Sequence, residues 1–136
     1  MATSPVYPSG VAGVNKTIVN ADSTNWVTLY DNSAGSAAVR LEALNLCSDD
    51  TSTVNIQVGV EVSAVQYLIG TASAVTLSGT NGTAAIVNAL NIVGNVSPDA
   101  IKVIYIPVGG KLVAKSLVAV TSAKTVTLTG WVRLYV

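Results

Sequence analysis

The 136-residue sequence predicts an all-β chain: an antiparallel β-sandwich, jelly-roll or Ig-like, of seven or eight strands with one short helix near residues 83–93. Three observations carry this prediction. Apolar residues recur at every second position through several stretches. Val, Thr, Ser, Ala and Gly dominate while Phe is absent. Clusters of Gly, Pro, Asn, Asp and Ser interrupt the alternation at spacings of roughly 8–15 residues. Val, Ile and Thr are stiff at χ1, which disfavours them in a helix and suits them to a pleated sheet. The length fits one domain with a real core. No self-similar period is visible, which disfavours a solenoid or propeller.

The first segment, residues 1–22, differs from the rest. Pro5, Pro8, Gly10 and Gly13 recur among Val6, Tyr7, Val11 and Val14 without a sustained period. It reads as an extended arm, either a frayed terminus or a segment that docks on a partner, preceding a sandwich domain over 23–136. Trp26, Thr28 and Tyr30 then alternate with Val27, Leu29 and Asp31. After the turn 32–36, Val39, Leu41 and Ala43 alternate with Arg40 and Glu42. A polar turn over 48–52 leads to the clearest amphipathic strand, with Val54, Ile56, Val58, Val60 and Val62 on one face. Two shorter strands, 66–69 and 74–77, are separated by Gly70-Thr71.

The exception to period two follows residues 79–83. Ile86, Ala89, Leu90 and Val93 fall at i, i+3, i+4 and i+7, which predicts a short helix capped by Thr83 and stopped by Gly94. A strand over 84–87 is the alternative. The turn Ser97-Pro98-Asp99 precedes Ile101–Ile106, almost continuously apolar, which reads as a strand buried on both sides or at an interface. Residues 111–120 and 125–136 complete a hairpin around 121–124. In its second strand Val126, Leu128, Val132, Leu134 and Val136 face inward; Thr125, Thr127, Thr129, Trp131, Arg133 and Tyr135 face outward.

Composition excludes several functions. Half the residues are hydrophobic and 10% are charged, against about a quarter in an ordinary soluble domain. So few charges point to a surface that faces other protein. Seven basic and seven acidic residues cancel, which removes the attraction that nucleic-acid binding needs. No uninterrupted apolar run approaches the ~18 residues of a membrane helix. Neither nucleic acid nor membrane is expected as a partner. The N-terminal residues carry no positive segment followed by an apolar one, so synthesis in the cytoplasm is expected. Asn15-Lys16-Thr17 and Asn81-Gly82-Thr83 match a glycosylation pattern that matters only in a secreted eukaryotic protein.

No catalytic residue, cofactor site or metal site is assigned. The absence of His removes the usual general base, the Ser-His-Asp and Cys-His arrangements and nearly all catalytic zinc sites. Among the carboxylates Asp22, Asp31, Glu42, Asp49, Asp50, Glu61 and Asp99, most sit in turns, where Asp serves backbone hydrogen bonding. Residues 49–52 lack the ligand spacing of a calcium loop. Cys47 has no second thiol and reads as a small buried apolar side chain. Trp26 and Trp131 are the candidate sugar-binding aromatics; on spacing, Trp131 favours a protein contact over a sugar contact.

Three segments carry a resemblance: residues 39–47 with the following turn and Val54-Asn55-Ile56; residues 79–83 leading to Asn88-Ala89-Leu90-Asn91; and residues 110–112 through 119–127. Together they resemble small β-sandwich virion proteins of tailed bacteriophages, most like capsid decoration (cement) proteins. The resemblance implies a non-enzymatic subunit on the capsid surface, a homodimer or homotrimer that bridges neighbouring major capsid proteins. The expected interface residues are Val6, Tyr7, Val11 and Val14 of the arm with Trp131, Arg133 and Tyr135 of the last strand. Tail, neck and fibre subunits share such sandwiches, and a fibre module binding a host glycan is the alternative.

Overall fold

The computed structural model describes residues 8–79, 84–96 and 102–135. Among them are strands β1 (Pro8–Val19), β2 (Val27–Asp31), β3 (Val39–Ser48), β4 (Val54–Val62), β5 (Val65–Ala74), β6 (Val87–Asn88), β7 (Asn95–Val96), β8 (Lys102–Ile106), β9 (Gly110–Ser116) and β10 (Thr125–Tyr135). One helix, α1 (Ala89–Val93), lies between β6 and β7. The first sheet runs β1-β10-β3-β8-β7, with β6 also on β3; the second runs β2-β9-β4-β5. All the named strands pair antiparallel. The fold is therefore the expected all-β sandwich.

The long strands pair in nested fashion: β1 with β10, β2 with β9, β3 with β8 and β4 with β5. That nesting across two sheets is the strand order of a jelly roll rather than of an Ig domain. Between the sheets, Val14, Ile18, Leu41, Leu44, Leu46, Leu128 and Val132 meet Ile56, Val58, Leu112 and Ala114 in one buried cluster. Each such Val, Leu or Ile side chain contributes about 1.5–3 kcal/mol on leaving water.

Two buried polar residues tie opposite ends of the sandwich. At one end Asn32 donates from Nδ2 to the carbonyls of Ala37 and Pro107, each at 3.0 Å. At the other, the Asp50 carboxylate accepts the Thr121 N–H and hydroxyl, both at 2.8 Å, and the Ser52 N–H at 2.9 Å. Asp49 beside it accepts the Thr125 N–H at 2.6 Å. The polar turn of 48–52 is thus a clamp on the segment that leaves β9.

That clamp accounts for one departure from expectation. Strands β9 and β10 do not form a hairpin: residues 117–124 carry the chain from the second sheet to the first. A second departure is at the N-terminus. Residues 8–19, expected as part of an arm, pair along the length of β10 and bury Val14 and Ile18. Their inward positions, Ala12, Val14, Lys16 and Ile18, include a lysine, which hides the period from a sequence reading.

The two short strands expected around Gly70 are one strand, β5. Gly70 is not a turn but a clearance, since a Cβ there would lie 3.0 Å from Val93 Cγ1 of α1. The helix itself is shorter than expected. Asn88 caps it, its side chain accepting the Asn91 N–H at 3.2 Å, and Gly94 closes it with an N–H to the Leu90 carbonyl at 2.8 Å. Val87 and Asn88 pair with Leu46 and Asn45, so strand and helix follow each other here. Thr83, the 97–99 turn, Ile101 and Val136 lie outside the described residues. Tyr105 is exposed, so β8 is not continuously buried, although Val103, Ile104 and Ile106 are. Cys47 is half-buried rather than buried, on the outer face under Gly79.

Candidate functional site

The outer face of the first sheet gathers much of the chemistry-bearing surface. The register sets its rows: Val11, Arg133, Arg40 and Tyr105 lie side by side, next to Gly13, Trp131 and Ala43, then Asn15, Thr129, Asn45 and Asn88. Trp131 is 46% exposed, flanked by two of the smallest residues. Nothing lies within 4 Å of where a Cβ on Gly13 would stand.

A β-bulge shapes this face. Trp131 is opposite Ala43 and Val132 opposite Leu41, which makes Glu42 the extra residue on β3. The bulge lets Leu41 and Leu44 both face the core while Glu42 and Ala43 stay outward. It also brings the Ala43 carbonyl against Gly130, where a Cβ would sit 1.9 Å from that oxygen, so only glycine fits. The bulge breaks the alternation that Ala43 was expected to continue.

Glu42 is the electrostatic centre. Its Oε1 accepts from Arg133 Nε at 2.8 Å and from Arg40 Nε at 3.0 Å, and among the described residues no donor reaches Oε2. The hydrogen bond from Arg133 lowers its pKa; partial burial opposes this and Arg40 adds to it, so the carboxyl sits below its ordinary value. The same contacts raise both arginines. Glu42 is therefore a fixed carboxylate at neutral pH.

Beside this triad is a groove of about 480 Å³ between β3, β10, β8 and α1. Trp131, Ala43 and Leu90 supply its apolar wall. Glu42, Asn45, Asn88, Asn91 and Lys102 supply its polar groups. Among the described residues Glu42 is the one carboxylate of the lining. The described residues hold no cluster of three metal-ligating side chains.

The expected interface residues are thus partly united. Val11, Trp131, Arg133 and Tyr135 belong to this one sheet, with Val11 and Trp131 exposed. Val14 does not join them: at 3% exposure it faces the core, because β1 is a sheet strand with alternating sides. Val6 and Tyr7 lie outside the described residues. Trp26 is occupied elsewhere, with Lys115 Nζ 5.0 Å from its ring centroid and its edge over Gly59. The groove's polar residues escaped the sequence reading. Their signal was the pair Asn88 and Asn91 interrupting an apolar run, three residues apart on one helical turn.

No protein-family model matches the chain, and no curated protein matches it.

Proposed function

We propose that the chain is a structural, non-catalytic subunit that binds the exterior of a tailed-phage capsid and bridges its major capsid proteins. The observation that carries this reading is the uncovered edge of β5. Val65, Gln66, Tyr67 and Leu68 are four consecutive exposed residues, with Tyr67 at 59% and Leu68 at 56%. Neither face of this stretch is covered, and no charged residue occurs between Val65 and Ala74. Soluble sandwiches protect an edge with a charge, as Lys16 on β1 and Asp31 on β2 do here. An edge left apolar calls for a partner. The low overall charge and the resemblance to decoration proteins support a shell of repeated subunits as that partner.

Physically, a subunit that binds only the assembled shell stabilises it by mass action, and contacts repeated over a lattice add. Purified virions should contain this chain in hundreds of copies, counted by quantitative mass spectrometry against the major capsid protein. A few dozen copies would move it to the tail or neck, and absence would defeat the virion reading. A Tyr67→Ser, Leu68→Ser double variant should keep its fold, since both side chains are exposed. It should bind particles at least about tenfold more weakly, given that two large apolar contacts are lost. Unchanged particle binding would remove β5 from the interface.

A further inference from the structure

The groove on the first sheet is not used by the β5 edge, and its chemistry differs. We propose that it binds a neutral pyranose sugar, stacked on Trp131 and hydrogen-bonded by Asn45, Asn91, Lys102 and Glu42. A pyranose ring has an apolar C–H face and a rim of hydroxyls that both donate and accept. It is recognised by an open aromatic ring next to planar amides and carboxylates.

The structure provides each part. Trp131 is open because Gly13 and Ala43 flank it with almost no side chain. Exposed indole rings stack against flat apolar faces, and the ladder between β1 and β3 fixes the backbone from which this ring projects. A fixed backbone lowers the entropy lost on binding. Asn45 and Asn91 each offer a donor and an acceptor, and Lys102 adds donors. Glu42 is immobilised through Oε1 by two arginines, leaving Oε2 to accept from a hydroxyl. A volume of about 480 Å³ falls in the range of small-molecule sites.

Hydrogen-bond character selects among sugars. Among the described residues the lining has one carboxylate, Glu42, and one ammonium, Lys102. Glu42 presents Oε2 as an acceptor, which a hydroxyl of a neutral hexose or N-acetylhexosamine meets with a proton and the carboxylate of an acidic sugar cannot. Trp26, the other aromatic candidate, lacks this setting because Lys115 covers its ring.

This proposal stands apart from the capsid reading, since it concerns the isolated chain in solution. The test is titration of the purified full chain with methyl glycosides of glucose, galactose, mannose and N-acetylglucosamine, followed by tryptophan fluorescence and saturation-transfer NMR. At least one neutral glycoside should bind in the millimolar range and shift the indole emission. Trp131→Ala should weaken that binding at least about tenfold, with its unfolding midpoint unchanged, and Asn45→Ala should weaken it too. Trp26→Phe should leave it intact. Silence with all four glycosides, binding confined to acidic sugars, or full binding by Trp131→Ala would each overturn the assignment. Particle binding by the β5 variant is unaffected by any of these results, so the two readings fail separately.

Discussion

A chain shortened to begin at Asn20 is expected to lose its cooperative thermal transition and its strand circular dichroism. Strand β1 pairs with β10 from Pro8 opposite Tyr135 to Val19 opposite Thr125. Removing it takes Val14 and Ile18 from the core, at about 1.5–3 kcal/mol each. It also opens the flank of Val126, Leu128 and Val132, and strips one side of the β10 ladder of its hydrogen-bond partners. These losses approach the whole stability of a typical domain, roughly 5–15 kcal/mol. A preserved sharp transition would place β1 outside the cooperative unit. It follows that weakened particle binding after such a deletion would report unfolding rather than a lost arm contact.

Asp50→Ala is the second large effect, an expected loss of about 3–5 kcal/mol in urea unfolding at neutral pH. The residue is fully buried, and its carboxylate takes three donors from Thr121 and Ser52. Truncation leaves those donors without a partner just where the chain crosses between sheets. Burial raises the Asp50 pKa, but the backbone and hydroxyl donors outweigh it, so the folded carboxyl titrates below its ordinary value. A depressed folded pKa gives stability that is fully present above the unfolded value. That stability is lost as pH falls through the folded one. The native chain should therefore lose stability steadily below about pH 4, and the Asp50→Ala chain should show a flatter slope there. Parallel slopes, or an unchanged urea midpoint at neutral pH, would mean that the clamp contributes little.

The strands that the sequence made legible are those with one wet and one dry face. In β4, Val54, Ile56, Val58 and Val60 are buried; in β10, Val126, Leu128 and Val132 are. Both were readable because alternation is a local property. What was not readable depends on contacts between distant residues. The bulge at Glu42 exists because Gly130, far along the chain, leaves room for the Ala43 carbonyl. The crossing after β9 depends on Asp50 meeting Thr121, and Gly70 reads as a breaker until Val93 is seen against it. The groove shares the first of these, since the bulge at Glu42 lines it. Trp131 was recognisable from its outward register, whereas Glu42, Asn45 and Lys102 reach it only through the sheet order.

The nested pairing also imposes an order in time. Strands β4 and β5 are joined by Ser63-Ala64, both at positive φ as a type I′ turn demands, and need almost no loop closure to meet. At the other extreme Thr17 faces Thr127 across 110 residues. Closure entropy grows with the separation of the ends, so the inner hairpin forms readily and the outermost pair last. Val58→Ala in β4 should accordingly slow folding, whereas Ile18→Val in β1 should act mainly on the unfolding rate in stopped-flow measurements. Comparable slowing by both would imply that β1 is already docked in the transition state. On the ribosome the same arithmetic leaves β1 without its ladder partner until residues 125–135 have emerged. Of the described strands, the one that leaves the ribosome before the others is the last to find its place.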